Sequence, residues 1–315
     1  MVKKTRVVFL HRKGLSGAGS KIMRCDQLSA LCSYYLGDEF EFTVVTLRPM
    51  RSTEAFRQVC SNLQDCIVIM LKGTWALFGD NRMLELRRYA RAVCVDYVDS
   101  NVRTNFARHA QVHVAASKAG AAMLEELVVY QGAGECAGRV MHLTHHADPR
   151  LSDVRCTFAD VVQVGYLGHP ANAFLTDRLR QEVHVLSYEN DREIGDVFEG
   201  LRGFNMHYAV RALPRRKEVL GVFKPFTKGF TAAVLGANVL TTRHTTDAVH
   251  YLGEDYPFLL DRTDEDSVLT ALDRARYLYG TSAWDEATER MRHVRQESSP
   301  ERIAQEMREI LSDFT

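Results

Sequence analysis

The chain has 315 residues, of which 46% are hydrophobic, and its 40 basic residues balance its 40 acidic residues. This length suits two domains of ordinary size, and the even charge excludes a protein that holds nucleic acid by bulk positive charge. An anion must therefore be met by a local cluster of cations.

The cysteines are seven in number and show no spacing typical of a metal site. A thiol inside an apolar stretch behaves as a small hydrophobe, which fits a reducing cytosol. The N-terminal "MVKKTRVVFLHRKG" has too short an apolar run for a signal peptide, and no stretch approaches the ~20 apolar residues of a membrane helix. We expect a cytoplasmic protein, with peripheral contact at the inner face of the membrane left open.

The first half of the chain alternates apolar runs with amphipathic stretches. The apolar runs predict strands at 6–11, 41–47, 66–71, 92–98, 112–117 and 139–145. Helices are predicted between them, including one after the glycine-rich "KGLSGAGSK", for which Ser20 is the expected N-cap. Strands that are apolar throughout and separated by helices predict a parallel sheet covered on both faces.

The polar stretch "HHADPRLSDVRCTFAD" (145–160) breaks this alternation, which then begins again. Further strands are predicted at 161–168, 183–188, 204–210, 218–223, 237–242 and 257–261, before a helical tail from Glu265 to Leu311 that is interrupted at "ESSPER". We therefore predict an α/β protein of two Rossmann-like, doubly wound parallel-sheet domains facing a cleft. The predicted domains are 1–150, 151–295, and a C-terminal helix at 296–315 that packs back on the first domain.

The strongest candidate site is "FKPFTKGFTAAVLG", in which Lys224 and Lys228 flank a predicted helix start. Pro225 ends any preceding helix and Thr227 is a candidate cap, while the free N–H groups and the positive dipole end favour an anion. A diphosphate would fit this arrangement. The alternative is a capped helix with two solvated lysines.

Polar groups at the predicted strand ends form a second set of candidates. His11, Asp96 and Asp99 stand where a general base would face the cleft, although aspartates at such places more often cap a helix. His142 and His146 lie on a predicted strand and its exit, where that spacing does not make a metal site, so we expect no metal. The glycine loop after the first strand fits neither dinucleotide nor phosphate-loop spacing.

Several stretches together resemble glycosyltransferases of the GT-B fold. "VGYLGHPAN" resembles the start of a donor domain, "FKPFTKGFTAAVLG" resembles a "KPxTK…A…G" signature, and "GLSGAGSKIMRCDQL" matches a glycine-containing loop and first helix. Family 4 members carry two glutamates, whose places are held here by Phe223 and Thr231.

This resemblance implies transfer of a sugar from a nucleotide-sugar donor to a carbohydrate or glycoconjugate hydroxyl, without a cofactor or metal. It implies a bacterial enzyme of polysaccharide or glycoconjugate assembly. The implied donor and phosphate residues are Lys224, Thr227, Lys228, Arg211, Thr231 and Asp247, and the implied acceptor loop comprises Gly17, Gly19, Ser20 and Lys21.

Anomeric outcome and oligomeric state are not fixed by the sequence. An inverting enzyme would need a base in the first domain, for which the candidates in order are Asp96, Asp99 and His11. Two other functions remain open, an inactive GT-B-fold binding protein and a nucleotide-sugar epimerase. A nicotinamide dehydrogenase is disfavoured, because no acidic residue closes the second predicted strand to hold a ribose.

Overall fold

The computed structural model describes residues 3–16, 18–131, 138–187, 194–211 and 221–315, which form two compact units. The first unit contains the described residues of 3–145, 221–225 and 300–315. The second contains those of 146–211 and 226–299. No helix in these ranges is both long and apolar enough to cross a membrane.

The first unit is built on a six-stranded sheet in which every strand pairs in parallel, in the order β2-β1-β3-β4-β5-β6. Its strands are β1 (Thr5–Arg12), β2 (Phe40–Leu47), β3 (Ile67–Leu71), β4 (Ala92–Asp96), β5 (Val112–Ala115) and β6 (Arg139–His142). Its helices are α1 (Gly19–Lys21), α2 (Leu28–Leu36), α3 (Thr53–Asn62), α4 (Gly79–Leu86), α5 (Lys118–Gln131) and α12 (Pro300–Leu311).

Both faces of this sheet are buried, as the continuous apolar runs predict. Val7 and Phe9 belong to one core cluster and the alternating Val8 and Leu10 to another, because successive side chains of a strand point to opposite faces. The first cluster also contains residues of α2 and α12, and the second contains residues of α3 and α4. The prediction of a doubly wound parallel sheet is confirmed for this unit.

The second unit has a five-stranded sheet, again with parallel pairing, in the order β11-β10-β9-β7-β8. Its strands are β7 (Val164–Leu167), β8 (His184–Leu186), β9 (Met206–Tyr208), β10 (Asn238–Thr242) and β11 (Leu259–Leu260). Its helices are α6 (Leu179–Glu182), α7 (Ile194–Glu199), α8 (Thr227–Val234), α9 (Ala248–Leu252), α10 (Glu265–Leu278) and α11 (Ser282–Glu297).

The structure corrects three details of the predicted elements. The strand expected at 218–223 does not form over its described part, 221–223, where Val222 makes only an isolated antiparallel bridge with Asn101. The helix after the glycine loop is capped by Ala18, so Ser20 lies inside α1. The N-cap of α8 is Phe226 and its side chain accepts no capping bond, so Thr227 is the first helical residue.

Candidate functional site

The strand order of the second sheet has a switch point between β7 and β9. From there, β8 lies on one side, next to β7, and β10 and β11 lie on the other side, beyond β9. In open α/β sheets, ligands bind beyond the carboxyl ends of the strands at such a switch point. β7 ends at Leu167 and β9 at Tyr208. The side chains around these two strand ends therefore define the candidate site.

Lys228, in the first turn of α8, reaches this point. Its ammonium nitrogen Nζ donates a hydrogen bond to the carbonyl oxygen of Leu167 and lies 4.1 Å from the ring centroid of Tyr166. Desolvation, and to a smaller extent the charge of Arg211, lower the pKa of Lys228 to about 7. Among the residues that the structure describes, no carboxylate is a counter-ion of this amine.

Tyr166 forms a fixed surface beneath the lysine. Its side chain is buried, and its hydroxyl donates to the carbonyl oxygen of His169 at 2.9 Å. The ring meets that of Tyr208 edge to face, with centroids 6.3 Å apart, and the hydroxyl of Tyr208 is bonded to the carbonyl of Phe174. A ring held in this way presents its electron-rich face to a cation, an arrangement worth roughly 0.5–2 kcal/mol.

Gly168 allows the lysine to approach the strand end. Its φ is +139°, and a Cβ at this position would lie 3.1 Å from Nζ of Lys228 and 3.2 Å from the hydroxyl of Tyr166. Any larger side chain would therefore displace the amine or the ring, and only glycine adopts this backbone without strain.

Helix α8 brings its N-terminus to the same region, and small residues form most of its buried face. Ala232 and Ala233 are fully buried, and Gly229 packs so closely on the ring of Phe226 that a Cβ would come within 1.9 Å of it. Phe226 in turn stacks on Tyr251, with ring centroids 5.9 Å apart. The first N–H groups of α8 have no intrahelical acceptor, and the dipole there is positive, which favours an anion.

The other predicted donor residues occupy different surroundings. Arg211 is half-buried after β9 and interacts electrostatically with Lys228. Lys224 is exposed and belongs to the first unit, whereas Thr227 and Thr231 are half-buried in α8. Asp247 precedes α9 with φ of +61°, and its side chain makes no capping bond. In the second unit, the structure therefore brings Lys228 and Arg211 together.

The three predicted base candidates all lie in the first unit, at or just beyond the carboxyl ends of its strands. His11 is buried on β1, with Nδ1 at 3.1 Å from the carbonyl oxygen of Arg12 and Nε2 at 3.0 Å from the hydroxyl of Thr46. A carbonyl only accepts, so Nδ1 carries the proton and Nε2 accepts from Thr46. Burial lowers the pKa of His11, which keeps the ring neutral at pH 7.

Asp96 is tied into a buried ion pair. One carboxylate oxygen accepts from Nε of Arg24 at 2.7 Å and the other from the backbone N–H of Val98 at 2.9 Å. The side chains of Arg24 and Asp96 are 0% and 2% exposed, and the guanidinium also donates to the carbonyl of Leu143. In these contacts Asp96 is the buried counter-ion of Arg24.

Asp99 has a different environment from Asp96. It is exposed, with a positive φ of 50° and an oxygen 3.8 Å from Nζ of Lys72. Of the three base candidates, Asp99 is the one that solvent or a ligand reaches directly.

The predicted acceptor loop is described in part. Gly17 lies outside the described residues, while Gly19, Ser20 and Lys21 form α1. The ammonium of Lys21 pairs with Asp26 at 2.6 Å. The helix then continues as a π-helix over Ile22–Gln27, an uncommon conformation that is frequent near functional sites.

Sequence reasoning missed three residues that shape these regions. Tyr166 and Gly168 stand in the quoted "VGYLGHPAN", where a glycine directly after an apolar strand is the local signal of a close approach to the backbone. Arg24 follows the glycine-rich loop, and nothing in the sequence indicates its pairing with Asp96. Among the described residues, no group of three or more His, Cys, Asp or Glu side chains is placed to hold a metal ion.

Comparisons with known proteins identify the fold. No family model and no curated protein matches the sequence. Among solved structures, a glycosyltransferase from Rickettsia africae has a TM-score of 0.62 at 10% identity, covering 99% of both chains. Sucrose-phosphate synthase from Thermosynechococcus elongatus has a TM-score of 0.61 at 10% identity, covering 98% of this chain and 99% of that one.

A third structure, Anabaena HepE in complex with UDP-glucose, has a TM-score of 0.58 at 12% identity and covers 98% of this chain and 99% of that one. The neighbours are GT-B glycosyltransferases, and the present chain shares their fold over nearly its whole length. The predicted GT-B architecture of two parallel-sheet α/β domains is thereby confirmed.

Proposed function

We propose that the protein transfers a glycosyl group from a nucleoside diphosphate sugar to a hydroxyl acceptor, and that Lys228 and Arg211 receive the diphosphate. The observation that carries this proposal is the ammonium of Lys228 at the switch point of the second sheet, beside a second cation and without a described carboxylate. A desolvated cation beside a second positive charge is unfavourable unless an anion joins them. The fold shared with glycosyltransferases supports a nucleotide-sugar as the source of that anion.

The reaction requires this kind of site. The bond between the sugar's anomeric carbon and the phosphate oxygen breaks, its electron pair remains on the diphosphate, and the acceptor oxygen bonds to the anomeric carbon. Negative charge therefore grows on the leaving phosphate, where fixed cations and helix N–H groups stabilise it without reorganising. Lys228 and Arg211 supply the cations, the half-buried Thr227 and the first amides of α8 supply neutral donors, and the exposed Lys224 is a further candidate.

The acceptor hydroxyl loses its proton as it attacks. If the transfer inverts the anomeric configuration, a base must take this proton, and Asp99 suits the role because it is exposed. Asp96 is held by Arg24 and both nitrogens of His11 are hydrogen-bonded, so each would first have to leave its partners. In a retaining transfer the leaving phosphate oxygen can take this proton instead, so no such base is required.

A first experiment identifies the donor. Thermal shift measurements with UDP, GDP, CMP, ADP and dTDP should show one nucleotide that raises the melting temperature, because a ligand bound only by the native state stabilises it by mass action. Incubation with the matching nucleotide-sugars should then release that nucleotide in the presence of an acceptor. Binding without release would indicate a non-catalytic binding protein, and conversion of the sugar nucleotide without acceptor would indicate an epimerase.

A second experiment tests the assigned residues. Lys228→Ala should lower turnover by about 10²-fold, the usual scale for loss of one preorganised charge contact, and Lys224→Ala tests the second lysine at the same scale. Arg292→Ala is the matched control, because this exposed arginine pairs with Glu289 of its own helix and has no role in the proposed site. Unchanged turnover in Lys228→Ala would remove the phosphate assignment.

A further inference from the structure

Among the described residues, the groups that contact Lys228 or interact with its charge are neutral or positive. On β7, Tyr166 presents its ring face and Leu167 its carbonyl oxygen. On β9, burial lowers the pKa of His207 to about 4 and raises that of Tyr208, so both are neutral at pH 7. The charge that acts on Lys228 is the guanidinium of Arg211.

Two opposing effects act on the amine in this setting. The carbonyl oxygen of Leu167 and the face of Tyr166 favour the ammonium form, whereas loss of water and the charge of Arg211 favour the neutral amine. Loss of water and the charge of Arg211 have the larger effect, because together they lower the pKa of Lys228 to about 7. An anion placed between Lys228 and Arg211 would reverse this balance, because it compensates both charges.

We infer that Lys228 takes up a proton when its anion binds, so that diphosphate binding at this site is coupled to protonation of the protein. The inference rests on the proposed function, since it concerns the same phosphate site. In the unliganded protein the side chain exchanges between amine and ammonium near neutral pH, and the bound diphosphate holds it as the ammonium.

The sign of the coupling follows from linkage. A group whose pKa rises on binding takes up protons, so the affinity falls as the pH rises above the pKa of the free protein. The affinity should fall by up to about tenfold per pH unit above pH ~7, until the pKa of the complex is reached. Below that range the ammonium is already present, and Lys228 contributes no pH dependence.

Calorimetric titration with inorganic pyrophosphate at pH 8, in Tris and in HEPES, measures the protons taken up per anion bound. Lys228→Arg is the matched variant, because a guanidinium keeps the positive charge at every accessible pH. The wild type should take up more protons than the variant, by up to about one per site, and this difference removes the protonation of pyrophosphate itself. Equal uptake in the two proteins would overturn the inference while leaving the proposed function standing.

A second measurement uses the wild type alone, in case arginine is not accommodated over Tyr166. Competitive acetylation with acetic anhydride across pH 5 to 10, read by peptide mass spectrometry, gives the apparent pKa of each lysine, with the exposed Lys13 of the first unit as internal control for the reagent. Lys228 should show a midpoint of about 7, and pyrophosphate should move that midpoint upward. A midpoint at the usual lysine value of about 10.4, or one unmoved by bound pyrophosphate, would contradict the coupling, whereas absence of both pyrophosphate and nucleotide binding would contradict the phosphate site itself.

Discussion

Two lysines of this chain show how the surroundings of an ammonium group decide what it can do. Lys21 is half-buried but lies 2.6 Å from an oxygen of Asp26, so its charge is already compensated. Lys228 is also half-buried, yet among the described residues it contacts a carbonyl oxygen and an aromatic face rather than a carboxylate. A paired lysine must give up its partner to bind an anion, whereas Lys228 would gain a partner. This difference favours Lys228 over Lys21 as the proposed anion-binding residue.

Gly168 is expected to affect both the stability of the protein and the position of the Lys228 ammonium group. Gly168→Ala should destabilise the protein by ~1–3 kcal/mol, because a non-glycine residue is strained at a φ of +139°. Pyrophosphate affinity should fall with it, since the new Cβ would stand 3.1 Å from Nζ of Lys228. Urea unfolding and calorimetry measure the two effects.

Gly203→Ala is the matched control for Gly168→Ala within the same unit, because a Cβ there meets no atom within 4 Å. The control should leave both stability and affinity nearly unchanged. If Gly168→Ala binds pyrophosphate as tightly as the wild type, the close approach of backbone and amine has no part in binding.

The buried pair of Arg24 and Asp96 is expected to matter for stability more than for proton transfer. Asp96→Ala should lower the free energy of unfolding by ~3–5 kcal/mol, because it leaves a guanidinium buried without its counter-ion. Nη2 of Arg24 is buried and already has no hydrogen-bond partner among the described residues, which leaves little to compensate the loss. Urea unfolding measures the change.

Glu289→Ala, which breaks an exposed pair with Arg292, is the control for Asp96→Ala and should cost less than ~1 kcal/mol. An Asp96→Ala protein as stable as the wild type but without turnover would instead identify Asp96 as the catalytic base.

At the scale of elements, the C-terminal helix α12 is fixed to the first unit by one apolar face and one acid. Ile303, Met307 and Ile310 are fully buried in the core cluster that covers one side of the sheet. Glu306, on the same helix, accepts from the backbone N–H and the hydroxyl of Thr144 at 2.7 and 3.0 Å. The helix therefore satisfies backbone groups just beyond the end of β6 as well as burying apolar surface.

Glu306 should make the stability of the first unit depend on pH. Burial raises the pKa of its carboxyl group, although the bonds from Thr144 act in the opposite direction. The native state therefore binds this proton more readily than the unfolded chain does, and the contribution of Glu306 to stability rises as the pH falls through its raised pKa. Relative to Glu306→Gln, which cannot titrate, the wild type should gain stability between pH 8 and pH 5, measured by urea unfolding.

Two further variants complete this test. Glu309→Gln makes the same change at an exposed position of α12 and should not alter the pH dependence. Glu306→Ala should cost ~1–3 kcal/mol at either pH, because it leaves the N–H of Thr144 buried without an acceptor. Identical pH profiles for the wild type and Glu306→Gln would contradict the role given to this acid.

The strands and helices that the sequence predicted well are those whose burial is continuous. Runs such as 66–71 and 92–98 are apolar on both faces because helices cover both sides of the sheet, and they form β3 and β4. The run at 218–223 is also apolar, yet Val222 finds only one bridge partner in the part described. Composition alone does not show whether a run will have a neighbouring strand.

The sequence predicts those parts of the candidate site that depend on neighbouring residues, but not its contacts between residues far apart in the chain. Pro225 and the small residues of α8 mark a helix start, and so Lys228 was identified from its spacing. Its contact with the carbonyl of Leu167 joins residues 61 positions apart, and the sequence holds no local trace of such a contact. The pairing of Arg24 with Asp96 spans 72 positions and was missed for the same reason.

At the scale of the whole molecule, the two units repeat one topology. The first sheet begins β2-β1-β3-β4-β5 and the second has β8-β7-β9-β10-β11, which is the same order counted from the first strand of each unit. Each unit therefore has its own switch point, between β1 and β3 in the first and between β7 and β9 in the second. The first carries His11 and the second carries Lys228, so one arrangement of strands supports two different polar sites.

The distribution of thiols makes the cooperativity of the first unit measurable. Five described cysteines, all within that unit, are buried: Cys25, Cys32, Cys60, Cys66 and Cys94. Burial raises the pKa of Cys25, Cys32 and Cys94 to about 12, so the reactive thiolate is scarce in the native state.

Iodoacetamide labelling in increasing urea, read by peptide mass spectrometry, should show the five thiols becoming reactive at one common midpoint. The reason is that the two faces of one sheet carry them: Cys60 and Cys66 belong to the core cluster on one face, and Cys25 belongs to the cluster on the other. Cys156, half-buried in the second unit, reports that unit separately. Labelling of Cys60 and Cys66 at a lower urea concentration than Cys25 would show instead that the two faces of the first sheet unfold independently, and that the strands between them do not couple their cores.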